Sequence, residues 1–482
     1  MENSLILRSL TEIKNSDTGF LLALLLTAAV SAVMPAMAVP VLLGAVLFYA
    51  LIKAGGREFN LVVVMLLLFL TSSTLDPSFR VAVIVWSLAS LAWFAFDDPE
   101  KHERMKIPRG IILFAVFTLF FIVLSSLVSI NPIKGLSAAF RQAVFFVFAF
   151  LIFMNIKSLK DVYLLQATVL LTGLINGFAI LYSIFAGGIS AHTLLEGPSR
   201  FGGLFTNINI NFSGVTLAVS FLIIVAYFFL KNNRNMQRRG FLLAILLPLS
   251  LALLISNSRA ALLAAFAGGI TFFLIVFPKY RFHFFGGVIV LVLAAFLIPP
   301  VNEFLSLMLR FERFLNVRDH LWAMSWESIK DHPLLGTGPD QFKDYFFKYM
   351  TASEGSYAEM MIKSLYKEAG DSGLSHNFFL FRQTELGLPG LLSAFWLPGM
   401  FILFAVRAMK GLRNTDRDGF ILVAASLSVG VGLFARSVFE SIGILTHGWL
   451  MVDLPFWVCF MVIVYFYRKT RQIQTEIPKS SP

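Results

Sequence analysis

The chain holds a single cysteine, Cys459, so no disulfide can form within it. No Cys/His spacing of the metal-binding kind occurs. No Walker A loop is present, which removes ATP as an energy source. No Asp-x-Asp pair faces outward to hold Mg²⁺ or Mn²⁺ at a leaving phosphate, and no Ser/His/Asp order stands out. Charge is also scarce. Charged residues make up 14% of the 482 positions against 57% apolar ones, and mean hydropathy is +0.78. That balance excludes a soluble domain with an anchor and indicates an integral membrane protein.

What fills the chain is fourteen apolar runs, near 19–34, 37–53, 60–75, 79–96, 110–129, 138–156, 161–186, 212–230, 240–256, 259–277, 284–302, 386–406, 418–438 and 449–467. A helical crossing of the bilayer core takes about 20 apolar residues. Lys and Arg gather in alternate loops, such as Lys101, Arg104, Lys106 and Arg109, then Arg234, Arg238 and Arg239, then Arg407, Lys410, Arg413 and Arg417. The short outer loops and nearby helix ends carry only Arg80, Lys134, Arg141, Arg200, Arg259 and Arg436. The positive-inside rule then puts both termini in the cytoplasm and makes these six the outer exceptions. The net charge of +11 sits in the inner loops, where it orients helices and meets anionic lipid, so nucleic acid is not the expected partner.

The expected fold is an all-α polytopic bundle of about 14 transmembrane helices with one large helical outer loop. Helices 1–11 occupy 1–302, the loop 303–385, helices 12–14 386–468, and a cytoplasmic tail 469–482. Residues 19–34 followed by Ala36-Met37-Ala38 resemble a signal peptide, but the expectation is a retained first helix. The large loop has apolar residues at helical spacing, at Phe304–Leu315 and again at Leu321–Ile329. Pro333 ends the second helix, and Gly336-Thr337-Gly338-Pro339 is a turn. Residues 303–375 hold eleven acids against eight bases, so this loop is no polybasic lipid clamp.

Chemistry is sought first at Arg200 and Arg259, each near the start of a crossing. A guanidinium presents a planar fork that suits phosphate oxygens. Two on one outer face can hold a pyrophosphate, and Gly202-Gly203 would let backbone approach it beside Asn207, Asn209 and Asn211. The alternative for each arginine is an interfacial anchor or an ion pair with a loop carboxylate. His376, where the large loop re-enters the membrane, is either a general base or a capping donor. His102 and His283 fall on the inner side, His320 and His332 on the surface helices, and His192 and His447 in outer loops. Arg318 and Trp322 share a helix face, for packing or for glycan or phosphate contact. Arg436 and Glu440, also four apart, read as an internal salt bridge.

These residues fall in a recognisable pattern. Arg200-Phe201-Gly202-Gly203-Leu204-Phe205-Thr206-Asn207 with Asn209 and Asn211, Ser256-Asn257-Ser258-Arg259-Ala260, and Leu321-Trp322 with His332-Pro333-Leu334-Leu335-Gly336-Thr337-Gly338 follow in order. His376-Asn377 is then separated by nine residues from Gly387-Leu388-Pro389-Gly390. The chain thereby resembles the O-antigen ligase and O-antigen polymerase superfamily of bacterial envelope glycan assembly.

The resemblance implies an inner-membrane glycosyltransferase whose active face is periplasmic. Its partners would be a polyprenyl-pyrophosphate-linked glycan donor, a lipid A–core or glycan acceptor, and membrane lipid. Arg200 and Arg259 would clamp the pyrophosphate, and His376 would take the acceptor proton, with inversion and with no metal or cofactor. Arg318, Asn207, Asn211, Glu385 and Arg436 are further substrate-binding candidates. Glu385 is read as orienting His376, binding a sugar hydroxyl, or capping a helix. A flippase or secondary transporter is the competing class, but it would place ionisable groups near the midplane of matched halves. Here the charges crowd the outer rim.

Overall fold

The computed structural model describes residues 56–70, 77–96, 107–185, 200–202, 207–233, 235–256, 258–299, 302, 318–345, 347–368 and 375–476. Fourteen α-helices lie within them. They are α1 (Gly56–Leu70), α2 (Pro77–Ala95), α3 (Arg109–Val128), α4 (Pro132–Asn155), α5 (Leu159–Phe185), α6 (Ile210–Tyr227), α7 (Met236–Ile255), α8 (Arg259–Val276) and α9 (Arg281–Leu297). They continue with α10 (Arg318–Asp331), α11 (Tyr357–Glu368), α12 (Phe378–Leu412), α13 (Arg417–Arg436) and α14 (Leu450–Glu476). A short antiparallel hairpin, β1 (Arg200–Gly202) and β2 (Asn207–Asn209), precedes α6.

The chain is a polytopic helical membrane protein. Eight helices among the described residues are long and apolar enough to cross a bilayer, namely α3, α4, α5, α7, α8, α12, α13 and α14. The helices α1 to α9 and α12 to α14 lie over twelve of the expected runs. The runs at 19–34 and 37–53 and the surface helix expected at Phe304–Leu315 fall outside the described residues. The second helix of the large loop is α10, which ends at Asp331, two residues before Pro333.

Two compact units divide the chain, one of residues 1–106 and 147–168, the other of 107–146 and 169–482. In the first, Arg57 donates to both carboxylate oxygens of Asp161 at 3.0 Å. Asp161 also caps the turn before α5, accepting from Lys157 N at 2.9 Å and Ser158 N at 2.8 Å. Asn155 Nδ2 donates to Leu91 O at 3.0 Å, which ties α2 to the same corner.

The second unit has α13 and α14 at its centre, with 72% and 83% of their apolar windows buried. Small residues bring helices together there, as packing in a membrane requires. A Cβ on Gly432 would stand 2.3 Å from Ala264 O, and one on Gly268 2.8 Å from Ser428 O, so α8 and α13 touch backbone to backbone. Phe401, Phe434, Phe456 and Phe460 fill the space between α12, α13 and α14. By contrast, α3 exposes Leu113, Val116, Phe120, Val123 and Leu127 along one stripe, a lipid-facing surface.

The feature that shapes the site is a break in α12. Gly387 adopts φ 64°, ψ −147°, a conformation essentially confined to glycine. Pro389 has no N–H, and Leu388 N turns away to Pro333 O at 2.9 Å. The carbonyls of Thr384 and Glu385 thus lose their helical donors. Backbone polar groups at membrane depth must be satisfied by protein. The turn after α10 satisfies them: Thr337 N donates to Thr384 O at 2.9 Å and Gly338 N to Glu385 O at 3.0 Å. Ser125 Oγ adds a third bond, to Glu385 O at 3.0 Å. The interlock leaves no room for side chains. A Cβ on Gly387 would fall 2.3 Å from Leu334 C, and one on Gly390 1.9 Å from Arg382 O. We therefore expect Gly387→Ala to lower stability by roughly 2–5 kcal/mol, from backbone strain and overpacking together. Thermal unfolding of detergent-solubilised protein measures this, and an unchanged melting temperature would speak against the interlock.

Beyond the break, α10 and α11 fold over a small core of Leu321, Met324, Phe342, Tyr349 and Ile362. This cap is part of the second unit.

Candidate active site

Asn377 starts α12 as its N-cap, accepting from Leu380 N at 3.0 Å. The same residue is tied to the segment after α13: its N donates to Ser441 Oγ at 3.1 Å and its Nδ2 to Val438 O at 3.0 Å. Phe378 N donates to Ser437 O at 2.8 Å. Held on its C-terminal side by these bonds, His376 sits at φ 48°, a left-handed conformation that few non-glycine residues adopt. Its Nδ1 lies 3.1 Å from Glu440 Oε2. The other oxygen, Oε1, accepts from Arg318 Nη2 at 2.6 Å.

Glu440 is buried, and Arg436 is buried beside it at the end of α13. Arg436 Nη1 donates to Ile442 O at 2.5 Å. Burial alone would raise the Glu440 carboxyl, but His376, Arg318 and Arg436 together bring it down to about 2. One carboxylate thus faces two guanidiniums and an imidazole, and the cluster carries a positive excess suited to an anion.

Arg259 stands at the same end of the unit. It is the first residue of α8, whose N-cap Ser258 accepts from Ala261 N at 3.3 Å. The register that sets Gly432 against Ala264 brings Arg436, one turn along α13, level with Ala260, one turn back along antiparallel α8. The first turn of α6 lies between them. A Cβ on Gly214 would meet Ala261 Cβ at 3.0 Å and Ser258 Oγ at 3.1 Å. One on Gly443 would meet Val215 Cγ2 at 2.9 Å and Arg436 Nη1 at 3.3 Å. The hairpin enters α6 directly, with Arg200 opposite Asn209 and Gly202 opposite Asn207, and Asn211 follows in the first turn of α6. The helices α6, α8 and α12 all begin at this end, and helix N-termini carry partial positive charge.

A second cluster lies along α12, at the break. Glu385 is fully buried. Its Oε2 accepts from Asp340 N at 3.0 Å and lies 2.5 Å from His447 Nε2. Arg141 pairs with the Asp340 carboxylate. Burial pushes the Asp340 carboxyl upward and Arg141 opposes it. Burial pushes the His447 imidazole down to about 3 against the pull of Asp340, so the ring is neutral. Asp340, Glu385 and His447 offer ligand-type atoms within 4.8 Å of one another. A cation fits them poorly. The Arg141 guanidinium already pairs with the Asp340 carboxylate, so a cation there would meet a fixed positive charge.

Of the residues marked by the sequence, His376, Arg318 and Arg436 meet around Glu440, and Arg259 joins them at the same end. Arg200, Asn207 and Asn211 lie on the strand and helix backbone that leads into that end. Two pairings differ from expectation. Glu385 does not orient His376: its Oε2 meets Asp340 N and His447 Nε2, while His376 Nδ1 meets Glu440. Glu440 bonds Arg318 and His376 directly, while Arg436 acts on it by charge and donates to Ile442 O, because α13 has already ended and the i,i+4 geometry no longer applies. Trp322 packs on Phe439, with ring centres 6.1 Å apart. The sequence had singled out neither Asp340 nor a carboxylate partner for His447. The remaining histidines of the cap are peripheral: His332 packs on Tyr345 at 5.4 Å, and His320 Nδ1 meets Thr351 Oγ1 at 3.2 Å.

No curated protein matches the chain. Residues 243–395 match a family model described as O-antigen ligase, a stretch that runs from α7 through Arg259, α10, His376 and the Gly387–Gly390 break, so over that stretch the chain is similar to the O-antigen ligases.

Proposed function

We propose that the protein is a glycosyltransferase of the O-antigen ligase type. It moves a glycan from an undecaprenyl-pyrophosphate donor to a hydroxyl of an acceptor sugar at the periplasmic face of the bacterial inner membrane. The observation that carries this reading is the Arg318–Glu440–His376 chain set beside Arg436 and Arg259. Glu440 engages Nδ1 of His376 and leaves Nε2 to accept a proton, the division of labour a general base needs. The acceptor oxygen attacks the anomeric carbon as its proton passes to Nε2. The bond from that carbon to the pyrophosphate oxygen breaks, and the configuration inverts. The charge gathering on the leaving pyrophosphate meets Arg259 and Arg200, with Arg318 and Arg436 behind. The proton leaves Nε2 for water, and the Glu440 carboxylate stabilises the imidazolium in between. Fixed guanidinium charge does the work that Mg²⁺ does elsewhere.

Transfer from an undecaprenyl-pyrophosphate-linked glycan, measured with purified protein, tests the assignment. Arg259→Ala is expected to lower the rate by about 10²–10³, the effect of losing one preorganised charge at a transition state. Excess EDTA is expected to change nothing. Near-normal transfer by Arg259→Ala would overturn the pyrophosphate role. The acceptor separates the two branches of the family. Lipid A–core as the better acceptor marks a ligase, and a growing glycan marks a polymerase.

A further inference from the structure

The first segment of α12, from its cap at Asn377 to the break at Gly387, is a straight rod of nine residues, about 14 Å long. Residues 437–449 run beside it. A carboxylate–imidazole pair closes each end of this contact, with the roles exchanged. At the cap, the rod end supplies His376 and the loop supplies Glu440, 3.1 Å apart. At the break, the rod supplies Glu385 and the loop supplies His447, 2.5 Å apart. The His447 ring also packs on Phe381, one turn earlier on the rod, at 5.2 Å.

The loop between the two pairs is held taut. Gly443 N and Thr446 N donate to the two oxygens of Asp453, at 3.3 and 2.5 Å. Trp457 Nε1 donates to Ile444 O at 2.9 Å. A segment fixed in this way transmits a shift at one end to the other. His447 adopts φ 43°, a left-handed conformation for a residue with a Cβ, so the contact at that end is enforced by its surroundings.

We infer that Glu385 and His447 are positioning residues for glycosyl transfer: their buried pair sets the register of residues 437–449 along α12 and so delivers Glu440 to His376. The inference rests on His376 being the base. It also gives the cap a part. Asp340 N donates to the same Glu385 oxygen that meets His447, so the turn after α10 is locked by the pair that aligns the catalytic end. Asp340 N and His447 Nε2 share this one oxygen, and a buried network of this kind is informative when cut one member at a time.

A double-mutant cycle in the transfer assay tests the inference, using lipid A–core or a soluble oligosaccharide as acceptor. His447→Leu is expected to lower kcat by about 10- to 100-fold with little change in KM for the donor. His447→Gln, which keeps an N–H at the position of Nε2, is expected to recover most of that loss. In a Glu440→Gln background, His447→Leu should cost almost nothing further, because its effect passes through Glu440. Additive losses, or a loss confined to KM, would overturn the inference. Glu385→Gln, which keeps the side-chain volume, runs the same cycle if His447→Leu does not fold. His376→Ala is measured alongside. If it retains transfer, the base assignment fails. If it is inactive while the cycle is additive, the positioning inference alone fails.

Discussion

His376→Ala is expected to reduce glycosyl transfer by about 10²–10⁴ while the protein still purifies as a folded monodisperse species. The range is that of a positioned acid–base group, and among the described residues no other histidine stands at this end. His320 and His332 are engaged within the cap, and His447 lies buried at the far end of the rod. Folding should survive. Alanine at φ 48° meets the same Cβ penalty that histidine already bears, and the cap bonds at Asn377 use its own side chain and backbone. Arg318 remains on Glu440, so the carboxylate keeps one partner. His376→Ala should leave donor binding close to normal, because the guanidiniums remain, and the loss should fall on kcat. Titrating lipid-linked donor against initial rate separates the two. A loss carried by KM would move His376 from proton transfer to donor binding.

Much of this was legible in the sequence, for physical reasons that also mark its limit. Apolar runs of bilayer length declare helices wherever they occur, and Pro333 declares the end of α10. The spacing of His376 from Gly387 was visible as a motif, although its reason was not. Gly387 is required because the chain turns left-handed there, and Gly390 because the Arg382 carbonyl occupies the place of a Cβ. The partners of the charged residues were the harder part. Local spacing suggested Arg436 with Glu440 and Glu385 with His376, yet the contacts formed join residues 62 to 122 positions apart. A pairing across the bundle leaves no periodic trace in one sequence. His447 lies in the run from Ile442 to Trp457, whose only acid is Asp453, and this was the one available sign that a polar partner waited elsewhere.

Loss of Glu440 is expected to damage both stability and transfer, and the pH at which the stability effect disappears identifies its cause. In the fold the carboxyl titrates near 2 against an ordinary 4.5, because burial, which opposes ionisation, is outweighed by His376, Arg318 and Arg436. A shift of that size corresponds to about 3 kcal/mol. A depressed carboxylate contributes its stability in full above its unfolded value and loses it as pH falls through its folded value. Glu440→Gln should therefore melt well below the parent at pH 7 and at pH 5, with the gap closing between about 4.5 and 2. Glu440→Ala should be worse at neutral pH, by about 3–5 kcal/mol, because it leaves buried guanidinium charge with no anion. Transfer by Glu440→Gln should fall as well, since an amide neither fixes the His376 tautomer nor stabilises an imidazolium. Thermal melts of solubilised protein at pH 7, 5 and 3 make the comparison. A gap that stays constant across that range would mean that Glu440 acts through packing alone. The positive excess around His376 would then need another counter-charge, and the pyrophosphate of the proposed donor is a group of the right sign to supply it.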